Sequence, residues 1–373
     1  GFIKTGLGKR IAYNLIAAFG SSSLRLSYAL ALSDLILAPA TPSNTARVGG
    51  VIMPITTSLA KAFGSEPQDG PRKIGSFLMQ SIYQVNTITS AMFQTSMAGN
   101  TLVAALALQS FGIGITWGDW AMAAIVPGII ALIIMPYFIY KVYPPEIKDA
   151  REAQQMIREE LKGLGKMSFQ EWVMLGVFVL ALVLWAISQF TKIDATTVAF
   201  LGISILLATG VLIWDDVKSE KGAWDTLVWM GTLMGFAGFL SKLGFIKWAT
   251  VLVGGYIPEG SWIIAFVIAV LINTYSHYVF ASLTAHISAM FVAFSAIAIS
   301  AGAPPMLTLL MIAFTSNLCM SLTHYAAGPS PVIFNTGYVP QNTWWKLGFF
   351  SSVINLIIFV GLGSIWMKVI GMW

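Results

Sequence analysis

Charge and cysteine are both scarce in this chain. Lys, Arg, Asp and Glu make up 10% of its 373 residues, against about a quarter in soluble domains, which excludes an ordinary water-soluble globular fold. A single cysteine, Cys319, excludes an intrachain disulfide and a cysteine-based zinc cluster; in its apolar run it reads as a small hydrophobe. Histidine is limited to His277, His286 and His324. All three fall in or beside interrupted apolar segments, but no two stand at i and i+4 and no carboxylate adjoins them, so the spacing predicts no metal centre. There is no nucleophile with an adjacent base and no glycine-rich nucleotide loop, so the usual enzyme signatures are missing.

What the chain has in quantity is apolar surface. It is 57% hydrophobic with a mean hydropathy of +0.77, the composition of an integral membrane protein. The net charge of +5 does not point to nucleic acid, because the cations sit in loops and at helix ends rather than on one basic face. In a membrane protein such cations set topology.

The pattern predicts an all-helical fold of two related halves. Residues 1–140 form the first repeat: an interfacial amphipathic helix over Gly1–Gly20, a helix entering over Leu24–Ala40, a return over Val51–Phe63, a span over Ile74–Phe93 interrupted at Thr95–Asn100, and a long span over Trp117–Tyr140 kinked at Pro127-Gly128. Residues 141–168 form a charged, solvated helical linker, cytoplasmic by its cation density. Residues 169–241 contribute spans over Trp172–Phe190 and Thr196–Ile213 and a small-residue face at Gly231, Gly235 and Gly238. Residues 242–373 form the second repeat, with another interfacial candidate over Lys242–Tyr256, a span over Trp262–Phe280, and a helix from Pro305 broken at Thr323–Pro331. A helix pair like the one preceding the second motif has no counterpart before the first, so further spans are expected upstream of Gly1.

The repeat rests on two motifs. Ser43-Asn44-Thr45-Ala46-Arg47 interrupts the first apolar run, and Ser282-Leu283-Thr284-Ala285-His286 interrupts its counterpart, with a basic residue at the same offset. Polar breaks at membrane depth survive only when buried in protein or lining a wet cavity. An Arg at mid-membrane costs about 2.5–3.5 kcal/mol on insertion scales, so Arg47 needs a partner. One reading is an ion pair with Asp34 on the preceding helix. The other places Arg47 and His286 beside an anionic ligand, with Ser43, Asn44, Thr45, Ser282 and Thr284 as hydrogen-bond partners and two half-helix N-termini adding positive potential. For His277 and His324 a hydrogen-bonded interior imidazole accounts for the position equally well.

With its Ser-Asn-Thr motif, the degenerate second copy, the later Gly328-Pro329-Ser330-Pro331 break and a Trp-rich final helix, the chain resembles the divalent anion/sodium symporter family, in its citrate/succinate and 2-oxoglutarate/malate exchanger branch. The resemblance runs from about Gly6 to the end. It implies an inverted-repeat carrier of elevator type, homodimeric, with two re-entrant hairpins. It implies that di- or tricarboxylates bind between the hairpin tips at Asn44, Thr45, Ser282 and Thr284, with Ser96, Gly328 and Pro329 from the two later breaks beside them. Sodium-coupled members carry Ser-Asn-Thr twice, whereas Leu283 here replaces the second Asn and removes an oxygen from a sodium site. A fixed cation at Arg47 or His286 can act electrostatically in sodium's place. The expected function is sodium-independent dicarboxylate exchange with no cofactor, in a bacterial inner membrane. The rival within the family is a sodium- or proton-coupled symporter with Asp34 as proton carrier; a channel or an intramembrane enzyme is the reading from outside it.

Overall fold

The computed structural model describes residues 1–191, 193–244, 248 and 262–373, and every named element among them is helical. Hydrocarbon offers the backbone no hydrogen bonds, so each segment must satisfy its own, as a helix does. Among the described residues five helices are long and apolar enough to cross a membrane: Trp117–Val142, Phe169–Ala186, Trp262–Val279, Leu283–Ser300 and Gln341–Val369. The first runs through Pro127 and Pro136 as one helix. Gly128 is required there, because a Cβ would lie 2.6 Å from Met92 Cγ on the neighbouring helix.

Two less apolar helices occupy the centre. All 18 residues of Gly75–Met92 are buried, Gln80, Gln84, Asn86 and Thr89 included. In Pro305–Leu318 every residue from Leu307 onward is buried. At 1.5 Å per residue the second is only about 21 Å long, short of a core about 30 Å thick. Each ends in a tight turn, at Gln94–Ser96 and Cys319–Ser321, before the chain resumes as Ala98–Phe111 and Pro329–Phe334. These are the two expected broken helices. Polar side chains in them are tolerated because they face protein rather than lipid.

Each broken helix is preceded by a helical hairpin. The first comprises Ser23–Leu37, a tight turn at Ala38–Ala40, and a return that starts at Asn44–Arg47, widens over Val48–Ile52 and continues as Met53–Ala62. In the second, Trp262–Ser276 ends in the turn His277–Val279 and Leu283–Ser300 returns. The order of helix, tight turn, serine-capped helix, then broken helix is thus the same in both halves.

At one end, Leu7–Phe19 buries Leu7, Ala12, Tyr13 and Ile16 against Ser23–Leu37 and Arg151–Gly163. The charged stretch expected as a solvated linker is therefore in part a docked amphipathic helix. Ala153, Gln154 and Ile157 share its buried face, and Gln154 Nε2 and Arg158 Nε donate to the Ala17 carbonyl at 2.9 and 3.1 Å. Arg10 pairs with Glu171 at 2.6 Å and donates to the Gly165 carbonyl at 2.9 Å, a favourable place for a cation at a helix C-terminus. Lys221–Lys242 packs on Ala98–Phe111. The interfacial candidate Lys242–Tyr256 lies, beyond Gly244 and apart from Trp248, outside the described residues.

Candidate substrate site

The two motifs start helices for the same reason. Ser43 and Ser282 are N-caps: the Ser43 hydroxyl accepts from the Ala46 N–H at 3.1 Å and the Ser282 hydroxyl from the Ala285 N–H at 3.3 Å. Both serines are exposed, and Thr45 and Thr284 are half-buried, so hydroxyls and helix starts are reachable at both tips. Asn44 is buried, with its amide nitrogen 3.6 Å from Met320 Sδ. Leu283, in the matching position, is buried and offers nothing polar.

Each tip rests on a glycine in the opposite half's break. A Cβ on Gly328 would fall 2.1 Å from Thr45 Oγ1, and one on Gly99 would fall 2.7 Å from Ile287 Cδ1, next to His286. Pro329 begins the short helix behind Gly328. Between the breaks, Asn317 Nδ2 donates to Asn100 Oδ1 at 2.7 Å. The Tyr83 hydroxyl donates to the Met320 carbonyl, lies 2.7 Å from Ser330 Oγ, and its ring packs on Trp344 at 4.4 Å. Each hairpin is therefore seated on the other half's broken helix.

Arg47 takes the first of its two readings. Its Nε donates to Asp34 Oδ1 at 2.8 Å, and its side chain is fully buried. One terminal nitrogen donates to the carbonyls of Thr41 and Ser96, both at 3.1 Å; the other donates to Thr89 Oγ1 and Ser90 Oγ, both at 3.3 Å. A guanidinium has five N–H donors, and all five are used. In this geometry Arg47 has no donor free for the ligand that the second reading placed beside it. What it does hold are the carbonyls freed at both breaks of the first half, Thr41 in the hairpin and Ser96 in the broken helix. Asp34 is held in turn by Asn86 Nδ2 at 3.1 Å and by the Thr89 hydroxyl.

The second half repeats this arrangement without charge. Asn273 stands 13 residues before His286, as Asp34 stands before Arg47. Asn273 Nδ2 reaches Ser316 Oγ at 3.1 Å and Thr315 Oγ1 at 3.5 Å, the counterparts of Ser90 and Thr89. His286 is 0% exposed, with Nε2 3.2 Å from Ser276 Oγ, so it also lies behind its tip rather than at the surface of the site. His277 Nε2 meets the Ala326 carbonyl at 2.9 Å, and Trp345 Nε1 donates to His324 Nδ1 at 3.1 Å. Tyr83, Asn273 and Asn317 escaped the reading of the sequence, which had Asn100 only as the end of the Thr95–Asn100 break. The equal 13-residue offset was the one signal that pointed to any of them.

Polar helix breaks buried among membrane-spanning helices are the hallmark of a secondary transporter. The chain is 51% identical over 374 residues to YflS of Bacillus subtilis (strain 168), whose name assigns it provisionally to malate transport; the match covers all of this chain and 78% of that protein. It is 46% identical over 378 residues to dicarboxylate transporter 1 of Spinacia oleracea chloroplasts, covering all of this chain and 66% of that protein. It is 42% identical over 373 residues to the inner membrane protein YbhI of Escherichia coli (strain K12), of which it spans 78%. The chain belongs to the sodium:sulfate symporter transmembrane region family, which matches residues 1–373. The family resemblance read from the paired motifs is therefore shown, and the class is a transporter, not an enzyme.

Proposed function

We propose that this chain carries di- or tricarboxylates of the succinate, malate, 2-oxoglutarate and citrate class by sodium-independent exchange. The dicarboxylate and malate named for its relatives suit the tips: hydroxyls of Ser43, Thr45, Ser282 and Thr284 donate to carboxylate oxygens, and two helix starts add about one positive charge between them. One carboxylate at each tip gives a dianion two anchors. Left empty in hydrocarbon, these donors would cost several kcal/mol. Movement is then coupled to loading, as obligatory exchange requires.

One observation carries the sodium independence. The oxygens of Asp34, Thr41, Thr89, Ser90 and Ser96 surround the Arg47 guanidinium, an oxygen set of the kind a hard cation takes. A covalently attached cation already fills it, and Leu283 lacks the amide oxygen at the other tip. Proton coupling through Asp34 is disfavoured, since its neighbours Arg47, Asn86 and Thr89 all donate to its carboxylate. In this reading the hairpins and broken helices move together as the transport unit of a homodimer. Residues 141–168 lie on the cytoplasmic side of a bacterial inner membrane. Proteoliposomes test the exchange: uptake of labelled malate or succinate should require internal dicarboxylate and ignore sodium. Sodium-driven uptake into empty vesicles overturns it.

A further inference from the structure

Three side chains that stand 9 and 33 residues apart in sequence meet inside the second half. One ring nitrogen each of His277 and His286, and Cys319 Sγ, all lie within 4.8 Å of one another, and all three residues are 0% exposed. They come from the turn of the second hairpin, its returning leg, and the turn that ends Pro305–Leu318. No carboxylate belongs to the cluster among the described residues.

The hydrogen bonds fix the tautomer of His277 and accommodate the same tautomer in His286. A carbonyl only accepts, so His277 Nε2 must carry the proton it gives Ala326. The Ser276 hydroxyl lies 3.0 Å from the Asn273 carbonyl and 3.2 Å from His286 Nε2; with its one proton on the carbonyl, it accepts from a protonated Nε2. Both Nδ1 atoms are buried with no partner, and in this shared tautomer each is a bare lone pair. Metal-binding histidines are arranged in this way: the second nitrogen donates to a carbonyl or hydroxyl, which fixes the ring and leaves the first free to ligate.

We propose that His277, His286 and Cys319 form a buried binding site for a soft monovalent cation, copper(I). Two imidazoles and a thiolate are a donor set that favours copper or zinc over hard cations. Binding forms two metal–nitrogen bonds and one metal–sulfur bond, and releases the Cys319 thiol proton, now directed at the Ser316 carbonyl, to solvent. Copper(I) with one thiolate and two neutral rings has no net charge, whereas zinc(II) would leave +1 in a site sealed from water, where isolated charge is costly. Metal–ligand bonds of about 2.0–2.3 Å bring ligand atoms to about 3.5 Å apart, so the cluster must close by about 1 Å. His277 and Cys319 both sit in tight turns rather than regular helix, which makes that adjustment local. A bound ion would tie the second hairpin to the second broken helix.

The test uses the full chain purified in detergent under reducing, anaerobic conditions and titrated against copper(I) held by the chromophoric chelator bicinchoninate. It needs no substrate, so it stands or falls independently of the transport reading. The wild-type chain should withdraw about one equivalent per chain, with an X-ray absorption spectrum fitting one sulfur and two nitrogens. Cys319→Ser, a near-isosteric change, should weaken binding at least ten-fold, and His286→Gln should do the same if Cys319→Ser does not elute as a single folded species. Copper left with the chelator, unchanged affinity in both variants, or zinc held as tightly as copper(I) would each overturn the proposal.

Discussion

Replacing Asp34 with Asn removes the carboxylate that pairs with the Arg47 guanidinium and leaves a full positive charge buried in the protein. Asp34 is 2% exposed and the Arg47 side chain is 0% exposed, so water screens neither. Breaking a buried pair from one side costs about 3–5 kcal/mol, and Arg47→His alone should cost a similar amount by stranding the carboxylate. The double variant D34N/R47H installs the uncharged residues that the second half carries at the matching positions, Asn273 and His286. Both buried charges disappear together, and the remaining loss is the hydrogen bonds to Thr41 and Ser96, about 1–3 kcal/mol for each carbonyl left unmet. The double variant should then be more stable than the sum of the singles predicts, by at least about 2 kcal/mol. Reversible unfolding in mixed micelles, run on all four members of the cycle, measures this coupling. Single variants within 1 kcal/mol of wild type, or strict additivity, would mean that Arg47 is not held as the geometry has it.

Gly328→Ala should abolish transport, because its Cβ collides with Thr45 Oγ1; adding Thr45→Ala, which leaves only the 3.3 Å contact with Thr45 Cβ, should restore folded yield in size-exclusion profiles. Tyr83→Phe removes the hydroxyl that satisfies the Met320 carbonyl and meets Ser330, and should cost about 1–3 kcal/mol in the same unfolding assay. Ser282→Ala deletes an N-cap at the second tip, so stability should drop by about 1 kcal/mol; under the proposed function the apparent KM for dicarboxylate in counterflow should also rise, because a hydroxyl proposed to hold a carboxylate is lost. Leu283→Asn should leave uptake indifferent to external sodium, since the oxygens at the first tip remain occupied by Arg47; a sodium-stimulated rate in that variant would argue that Leu283 alone sets the coupling.

Much of the organisation was legible in the chain itself. Hydrocarbon imposes one rule, that every backbone donor be met within its own segment, and apolar run lengths with their polar interruptions follow from it. The breaks after Ala40, Phe93, Phe280 and Leu322 were visible as Ser, Thr, Gly and Pro inside runs that should have continued. The paired motifs carried the repeat, and with it the family. The docking of Arg151–Gly163 was less visible, because its buried stripe is short and its charges dominate the composition.

The partners of each buried polar group had to wait for three dimensions. From composition, Arg47 beside a ligand and Arg47 beside Asp34 both answer the same cost, and the bond to Asp34 and the placement of Thr41, Thr89, Ser90 and Ser96 around it become visible only in three dimensions. The exchange of tips between halves, Thr45 onto Gly328 and Ile287 onto Gly99, joins residues far apart in the chain, with no local pattern to announce it. His277, His286 and Cys319 are the sharpest case. Helical spacing records which residues share a face of one segment; it holds no record of which turns of different segments meet, and this chain places its chemistry in those turns.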